Sequence, residues 1–248
     1  MGLAFLDGFY IVASQSSVIK NPGWVVPANG WIPHSLVCLD LALNLVSEGP
    51  VEPLGMGDLH DILVHEGKLW AVDTKSNRVV GFEVRRSASS ASVQFGASRW
   101  LVPVVQWQDP AARDEDATHV NSICAHDGRL LVSVFGRYST RRAYDARGLN
   151  DGCILDITDH LSPFGSSTTS APPPRIRTGL ADPHSLISHE ADLYFTEARR
   201  GRVVKDFETL AEFTGTYVRG LLIENGTIFV GCSSSRHCAV PISWASRV

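Results

Sequence analysis

The chain has 248 residues, of which 44% are hydrophobic and 19% are charged, and this composition excludes a disordered chain. Its net charge of −4 excludes a strongly basic nucleic-acid-binding protein. No apolar run reaches the roughly 18 residues of a membrane span. The N-terminus also has no basic segment before its short apolar stretch, so we expect a cytoplasmic protein without membrane contact. Five cysteines without a CxxC pattern argue against a disulfide framework or a zinc ribbon.

Strand-like segments begin at the N-terminus, where Gly2–Asp7, Phe9–Ser14 and Leu36–Leu41 are the first three predicted strands. Further along, four segments repeat one pattern of a polar residue, an apolar run, a turn and a second apolar run. These segments are Leu59–Thr74, Thr118–Phe135, Pro183–Ala198 and Val218–Ser233. Their turns, for example Glu224-Asn225-Gly226, are typical of β-hairpins, so each segment predicts a pair of strands.

A third strand, and in places a fourth, is predicted after each hairpin. The third strands are Arg78–Val84, Cys153–Thr158, Arg202–Phe207 and Ala239–Trp244, and the fourth strands are Leu101–Val105, Arg175–Thr178 and Leu210–Phe213. Four short antiparallel strands that recur in this way make a propeller blade. The sequence therefore predicts an all-β fold. It is a single β-propeller domain over residues 1–248, with five readable blades (five or six in all) of four strands around a central channel. The alternative is a β-sandwich or an irregular barrel.

Polar residues occupy equivalent positions of the repeat. Counting back seven residues from each turn Gly, or from its equivalent Ala191, gives His60, Asn121, His184 and Arg219. His119 lies two residues before Asn121, a step that keeps the same face of a strand. The starts of the innermost strands surround the channel at one end of a propeller. We therefore expect these polar side chains to converge there.

Three converging imidazoles suit a divalent transition metal such as Zn or Fe, so His60, His119 and His184 are candidate metal ligands. The alternative is that these histidines cap backbone groups in a wet channel. Without a metal, His60 or His119 could act as a general base. Together with Arg219 they are the candidate catalytic residues.

Arg219 and Asn121 are the candidate substrate-binding residues, since a guanidinium suits a carboxylate or a phosphate. The alternative for Arg219 is a salt bridge with a nearby acid such as Asp182. The motifs of nucleotide-binding loops are absent, so we expect no nucleotide cofactor.

The long segment Gly136–Asp151 is a candidate lid, in which Arg137 and Tyr138 would contact an anionic substrate. The alternative is an ordinary solvated loop. The Ser/Thr/Pro-rich stretch Ser162–Pro174 is expected to be a flexible excursion without chemistry.

Several short motifs follow one another in a fixed order. They are His60-Asp61, His119-Val120-Asn121, Gly152-Cys153-Ile154-Leu155-Asp156, Pro183-His184-Ser185, Arg219-Gly220-Leu221 and Phe229-Val230-Gly231. This order, over residues 57–236, resembles an uncharacterised bacterial β-propeller family. The resemblance implies a propeller of about six blades and implies no activity.

Three functions fit these observations. The first is a metal-dependent lyase, hydrolase or oxygenase that acts on a small anionic or polar substrate. The second is a module that binds such a ligand without chemistry. The third is a structural propeller that presents its loops to a protein partner.

Overall fold

The computed structural model describes residues 2–14, 35–51, 54–84, 101–146, 150–167, 171–234 and 243–244. These residues form an all-β protein with a propeller-like arrangement of separate antiparallel sheets. The helical elements bounded within these ranges are three 3-10 turns, Ala143–Asp145, Thr158–His160 and Ala198–Arg200. None of the helices described is long and apolar enough to cross a membrane.

The strands are short and follow the predicted repeat closely. In chain order they are β1 (Leu3–Leu6), β2 (Phe9–Ser14), β3 (Ser35–Leu39), β4 (Leu45–Pro50), β5 (Leu59–His65), β6 (Lys68–Asp73), β7 (Arg78–Val84), β8 (Leu101–Gln108), β9 (Val120–His126), β10 (Arg129–Val134), β11 (Gly152–Asp156), β12 (Ser162–Pro163), β13 (Arg175–Leu180), β14 (Pro183–His189), β15 (Asp192–Glu197), β16 (Arg202–Lys205), β17 (Glu208–Glu212), β18 (Tyr217–Glu224), β19 (Thr227–Ser233) and β20 (Ser243–Trp244).

Each sheet is antiparallel and consecutive strands pair, except that β12 pairs with β8 and β13 pairs with β11. The sheet orders are β1-β2-β3-β4, β5-β6-β7-β8-β12, β9-β10-β11-β13, β14-β15-β16-β17 and β18-β19-β20. The predicted four-stranded pattern is thus found in four sheets, one of which gains a fifth strand. The fifth sheet has three strands among the residues described, and residues 239–242 of its predicted third strand lie outside them. The count of five blades stays a prediction.

The hairpin turns confirm the sequence pattern on which the fold prediction depended. The turn pairs Glu66-Gly67, Asp127-Gly128, Glu190-Ala191 and Asn225-Gly226 all have positive φ, between 49° and 71°. Positive φ at both central residues defines the type I′ turn, whose twist matches that of the flanking strands. Ala191 adopts the conformation that Gly takes in the other three turns, at a steric cost that its pairing strands must offset.

The chain divides into two compact units, each of which has its own core. The first unit is Met1–Gln108 with Leu161–Thr168, and the second is Asp109–His160 with Thr169–Val248. The first core includes Ile11, Leu36, Leu59, Leu69 and Phe82, all fully buried. The second includes Leu131, Ile154 and Phe195. Burial of each such side chain contributes about 1.5–3 kcal/mol of transfer free energy, which makes the cores the main source of stability.

The start of the Ser162–Pro174 segment differs from expectation. Ser162 and Pro163 form β12, which pairs antiparallel with β8 opposite Gln106 and Val105. The Gln106 side chain also donates to the Ser166 carbonyl at 3.0 Å. The expectation of a flexible excursion was wrong for this part, because a two-residue strand directly before many small polar residues has no periodic signal.

Candidate functional site

The starts of four first strands carry β-bulges, and the predicted polar residues lie at them. In β5, His60 and Asp61 lie between the pairs Leu59–Asp73 and Ile62–Ala71. In β9, Asn121 and Ser122 together oppose Ser133. Arg219 is the additional residue in β18, and His184 directly precedes the bulge of β14. A bulge changes the direction of local side chains and is common next to functional sites.

In the second unit, hydrogen bonds join the three bulges in series. The β14 strand contacts both β9 and β18. The Leu186 amide donates to Ser122 Oγ at 3.0 Å, from the β14 bulge to the β9 bulge. Ser185 Oγ donates to the Arg219 carbonyl at 2.6 Å, from β14 to β18. These two bonds fix Asn121, His184 and Arg219 on neighbouring strands, and we call the three bulged segments the bulge row.

His119, directly before β9, forms a tight polar group with an acid and a tyrosine. Its Nδ1 lies 2.6 Å from Asp116 Oδ1, and the two side chains are only 10% and 15% exposed. Tyr144 Oη donates to Asp116 Oδ2 at 2.7 Å and lies 3.0 Å from His119 Nδ1. A carboxylate oxygen accepts a hydrogen bond, so Nδ1 is the donor in this contact and Nε2 is the second nitrogen of the ring.

The backbone at His119 is left-handed, with a φ of 50°, as it also is at Asp58 and Asp182. These two residues precede His60 and His184 by two positions, as His119 precedes Asn121, so this conformation is a feature of the repeat at the strand starts. The Phe135 amide donates to the Thr118 carbonyl at 3.1 Å, so the residue before His119 is held by the end of β10.

His184 stands in a second group that resembles the first. Its Nδ1 lies 2.9 Å from the Asp182 carbonyl oxygen. A carbonyl oxygen only accepts hydrogen bonds, so Nδ1 is the donor and carries a proton. Tyr217 Oη donates to Asp182 Oδ2 at 2.7 Å, as Tyr144 does to Asp116. Asp182 therefore organises the start of β14 as Asp116 organises the start of β9. The histidines differ, because a carboxylate holds His119 and a backbone carbonyl holds His184.

A row of rings connects these two groups. Phe135 lies between the histidines, with ring centroids 4.1 Å from His119 and 4.9 Å from His184. Tyr217 follows at 5.7 Å from His184. The four residues are between 3% and 8% exposed. They form a continuous row of ring contacts at the strand starts of the second unit, and both separations that involve His184 lie within the range of about 4.5–7 Å that aromatic pairs prefer.

His60 belongs to the first unit and has a similar local setting. Its Nδ1 lies 3.2 Å from the Asp58 carbonyl and 2.7 Å from Thr74 Oγ1. Its side chain is 22% exposed. Among the residues that the structure describes, no three or more His, Cys, Asp or Glu side chains form a group that could hold a metal ion. The metal site at His60, His119 and His184 stays a prediction.

Arg137 and Tyr138 have polar partners within the second unit. Arg137 forms a bidentate ion pair with Asp109, in which Nη2 donates to Oδ1 at 2.7 Å and Nε donates to Oδ2 at 3.4 Å. Asp109 is fully buried, so this pair anchors the loop. Tyr138 Oη donates to Asp151. Substrate binding by these two residues stays a prediction.

Arg219 is exposed, and its guanidinium lies 4.8 Å from the centre of the Tyr217 ring. Asp182, the acid considered as its partner, instead accepts from Arg199 Nε at 3.0 Å and from Tyr217. The role of Arg219 in binding or catalysis stays a prediction.

Two buried cysteines, Cys38 and Cys153, do not suit nucleophilic chemistry. Burial raises the pKa of the Cys153 thiol to about 11 and that of the Cys38 thiol to about 12. Only the thiolate is a strong nucleophile. These two thiols are therefore protonated at neutral pH, which leaves the His119 group as the better candidate for chemistry.

The family model of a domain of unknown function, DUF4915, matches residues 53–241. The chain belongs to this family. The match includes His60, His119, Asn121, His184 and Arg219. No curated protein sequence matches the chain.

Two solved structures are similar to this DUF4915 protein. One is described as an oxidoreductase (glucose dehydrogenase) from Thermus thermophilus, with 15% identity over 97% of this chain and 80% of that chain, and a TM-score of 0.54. The other is a streptogramin B lyase, with 13% identity over 92% of this chain and 89% of that chain, and a TM-score of 0.35. At this identity the first similarity concerns the fold alone.

Sequence reasoning did not select Asp116, Tyr144, Phe135 or Tyr217. Asp116 precedes His119 by three residues, and Asp182 precedes His184 by two, so an acid shortly before each histidine was a usable signal. Tyr144 joins Asp116 across 28 residues of chain, and no local pattern predicts that contact.

Proposed function

We propose that the starts of β9, β14 and β18 bind a small polar or anionic ligand and that His119 exchanges a proton with this ligand. In this proposal the protein is an enzyme of the acid–base type, with Arg219 and Asn121 as residues that orient the ligand. We also propose that the protein forms a ring of five or six blades around a channel and that it is cytoplasmic.

The contact between His119 Nδ1 and Asp116 carries the proposal. General bases in enzymes are often histidines held in this way, with a carboxylate at one nitrogen and proton exchange at the other. The contact is short and nearly buried, which strengthens its electrostatic part. Tyr144 binds the second carboxylate oxygen and so limits rotation of Asp116.

A metal-dependent reaction at His60, His119 and His184 is a second candidate. In its favour, all three histidines form a hydrogen bond through Nδ1 with an aspartate two or three residues earlier in the chain. Ligand histidines are usually held this way by groups outside the coordination sphere. A Zn or Fe ion bound there would act as a Lewis acid or activate water.

The test is a thermal-denaturation screen of the purified protein against small carboxylates, phosphate esters and neutral polyols. It is run after chelator treatment and again with added Zn²⁺ or Fe²⁺. We expect at least one class to raise the Tm of the chelator-treated protein. The His119→Asn variant should weaken that effect at least tenfold in ligand concentration. Asn tolerates positive φ, so this variant keeps the local backbone.

His126→Asn is the matched control, because His126 lies at the other end of the same strand and is equally buried. It should respond to ligand as the wild-type protein does. A ligand effect that appears only with added metal would favour the second candidate. No response from any class, or equal responses from the His119 and His126 variants, would contradict the proposed function.

A further inference from the structure

The amide of Asn121 is an unusual feature of the bulge row. Asn121 is 4% exposed, and its Nδ2 is the one buried side-chain nitrogen or oxygen without a hydrogen-bond partner among the described residues. A buried donor without an acceptor weakens the folded state, because the donor has lost its water. Almost every buried donor in native proteins is paired with protein, ordered water or a ligand, so this amide is available to a group from outside the chain.

Its position connects this donor to the proposed site. Asn121 shares the β9 bulge with Ser122, whose Oγ accepts from the Leu186 amide of the β14 bulge. The β14 bulge is bonded in turn to the Arg219 carbonyl. Asn121 and Arg219 therefore stand at the two ends of one hydrogen-bonded row on three neighbouring strands.

The side chains of Asn121 and Arg219 are both hydrogen-bond donors through N–H groups. The carboxamide Nδ2 donates two N–H groups and the guanidinium donates five with a positive charge. Arg219 is exposed, with its guanidinium beside the Tyr217 ring, whereas Asn121 is buried. A ligand that binds to both side chains must accept several hydrogen bonds and carry negative charge. Carboxylates and phosphates have this property.

We propose that Asn121 Nδ2 and the Arg219 guanidinium bind acceptor oxygens of one anionic ligand, whose charged group is either a carboxylate or a phosphate. This inference rests on the proposed function and specifies its substrate class. His119 would then lie beside the bound anion at the start of β9, two residues before Asn121.

The test compares Asn121→Leu, Arg219→Gln and the wild-type protein by thermal denaturation, without ligand and with phosphate, malonate or citrate at constant ionic strength. We expect at least one of these oxyanions to raise the wild-type Tm. Asn121→Leu removes an unpaired donor and keeps the side-chain volume, so its Tm without ligand should equal or exceed that of the wild-type protein. Both variants should need at least tenfold more oxyanion for the same rise in Tm.

The probes also separate the two sources of the anion. A response to phosphate alone assigns a phosphate ligand, and a response to malonate or citrate alone assigns a carboxylate. A lower Tm of unliganded Asn121→Leu would overturn the inference, because the amide would then have a structural partner. If neutral polyols raise the wild-type Tm in the ligand screen described above and no oxyanion does, this inference is overturned and the proposed function is kept. Response to neither would contradict both.

Discussion

At the scale of single residues, Asp116 is the organising group of the candidate site. One carboxylate oxygen holds His119 and the other holds Tyr144, which comes from the loop after β10. The ion pair of Arg137 with Asp109 also holds this loop. Two backbone amides that donate to the Ser139 carbonyl hold it further along. A single buried acid thus couples the position of this loop to the orientation of the histidine.

Tyr144→Phe should destabilise the protein by about 1.5–3 kcal/mol, the usual value for a lost hydrogen bond to a charged group. The phenol is 2% exposed, so water cannot replace it without rearrangement. Tyr138→Phe is the matched control on the same loop: its hydroxyl donates to the exposed Asp151, where water can replace the bond, so stability should change by less than about 0.5 kcal/mol. Urea denaturation of both variants measures the difference. Equal stabilities would show that the Tyr144 hydroxyl does not hold Asp116.

At the scale of strands, the bulge row replaces regular pairing with side-chain contacts between sheets. Ser122 is 2% exposed, and its hydroxyl bonds to Ser133 Oγ at 3.1 Å as well as to the Leu186 amide. The equivalent contact on the other side joins Ser185 to Arg219. Small hydroxyl side chains therefore set the spacing of the neighbouring first strands.

Ser122→Ala should cost about 1–3 kcal/mol, because the buried Leu186 amide loses its acceptor. The exposed Ser139→Ala variant should change stability by less than about 0.5 kcal/mol. Amide hydrogen exchange gives a second readout, since Leu186 should exchange faster in the Ser122 variant alone. Unchanged exchange at Leu186 would contradict the role of Ser122 in joining the strands.

Much at this scale could be predicted from the sequence, because acidic or Asn residues before Gly or Ala mark the four hairpin turns. Counting back from those turns placed His60, Asn121 and Arg219 at the same register, and the structure has a bulge at each. The bulges themselves could not be predicted, since one additional residue leaves the alternation of apolar side chains almost unchanged. The contact of Tyr144 with Asp116 depends on how a long loop folds back, which local patterns do not encode.

At the scale of the whole molecule, the DUF4915 protein repeats one hairpin-based sheet along the chain. The repeat places chemically different groups at equivalent strand starts. A carboxylate-held histidine precedes β9, a carbonyl-held histidine lies in β14, and an exposed arginine lies in β18. Repetition of one scaffold with varied side chains is how a fold of this class builds a ligand site from distant parts of the sequence.

The most direct test of the proposed ligand site is hydrogen–deuterium exchange with and without the ligand that gives the largest rise in Tm. We expect added protection at 116–122, 182–187 and 217–220, which contain the strand starts of the second unit. We expect little change at the hairpin turns near 127, 190 and 225, at the other ends of the same strands. Protection centred on those turns, or confined to the outer strands, would contradict a ligand site at the strand starts.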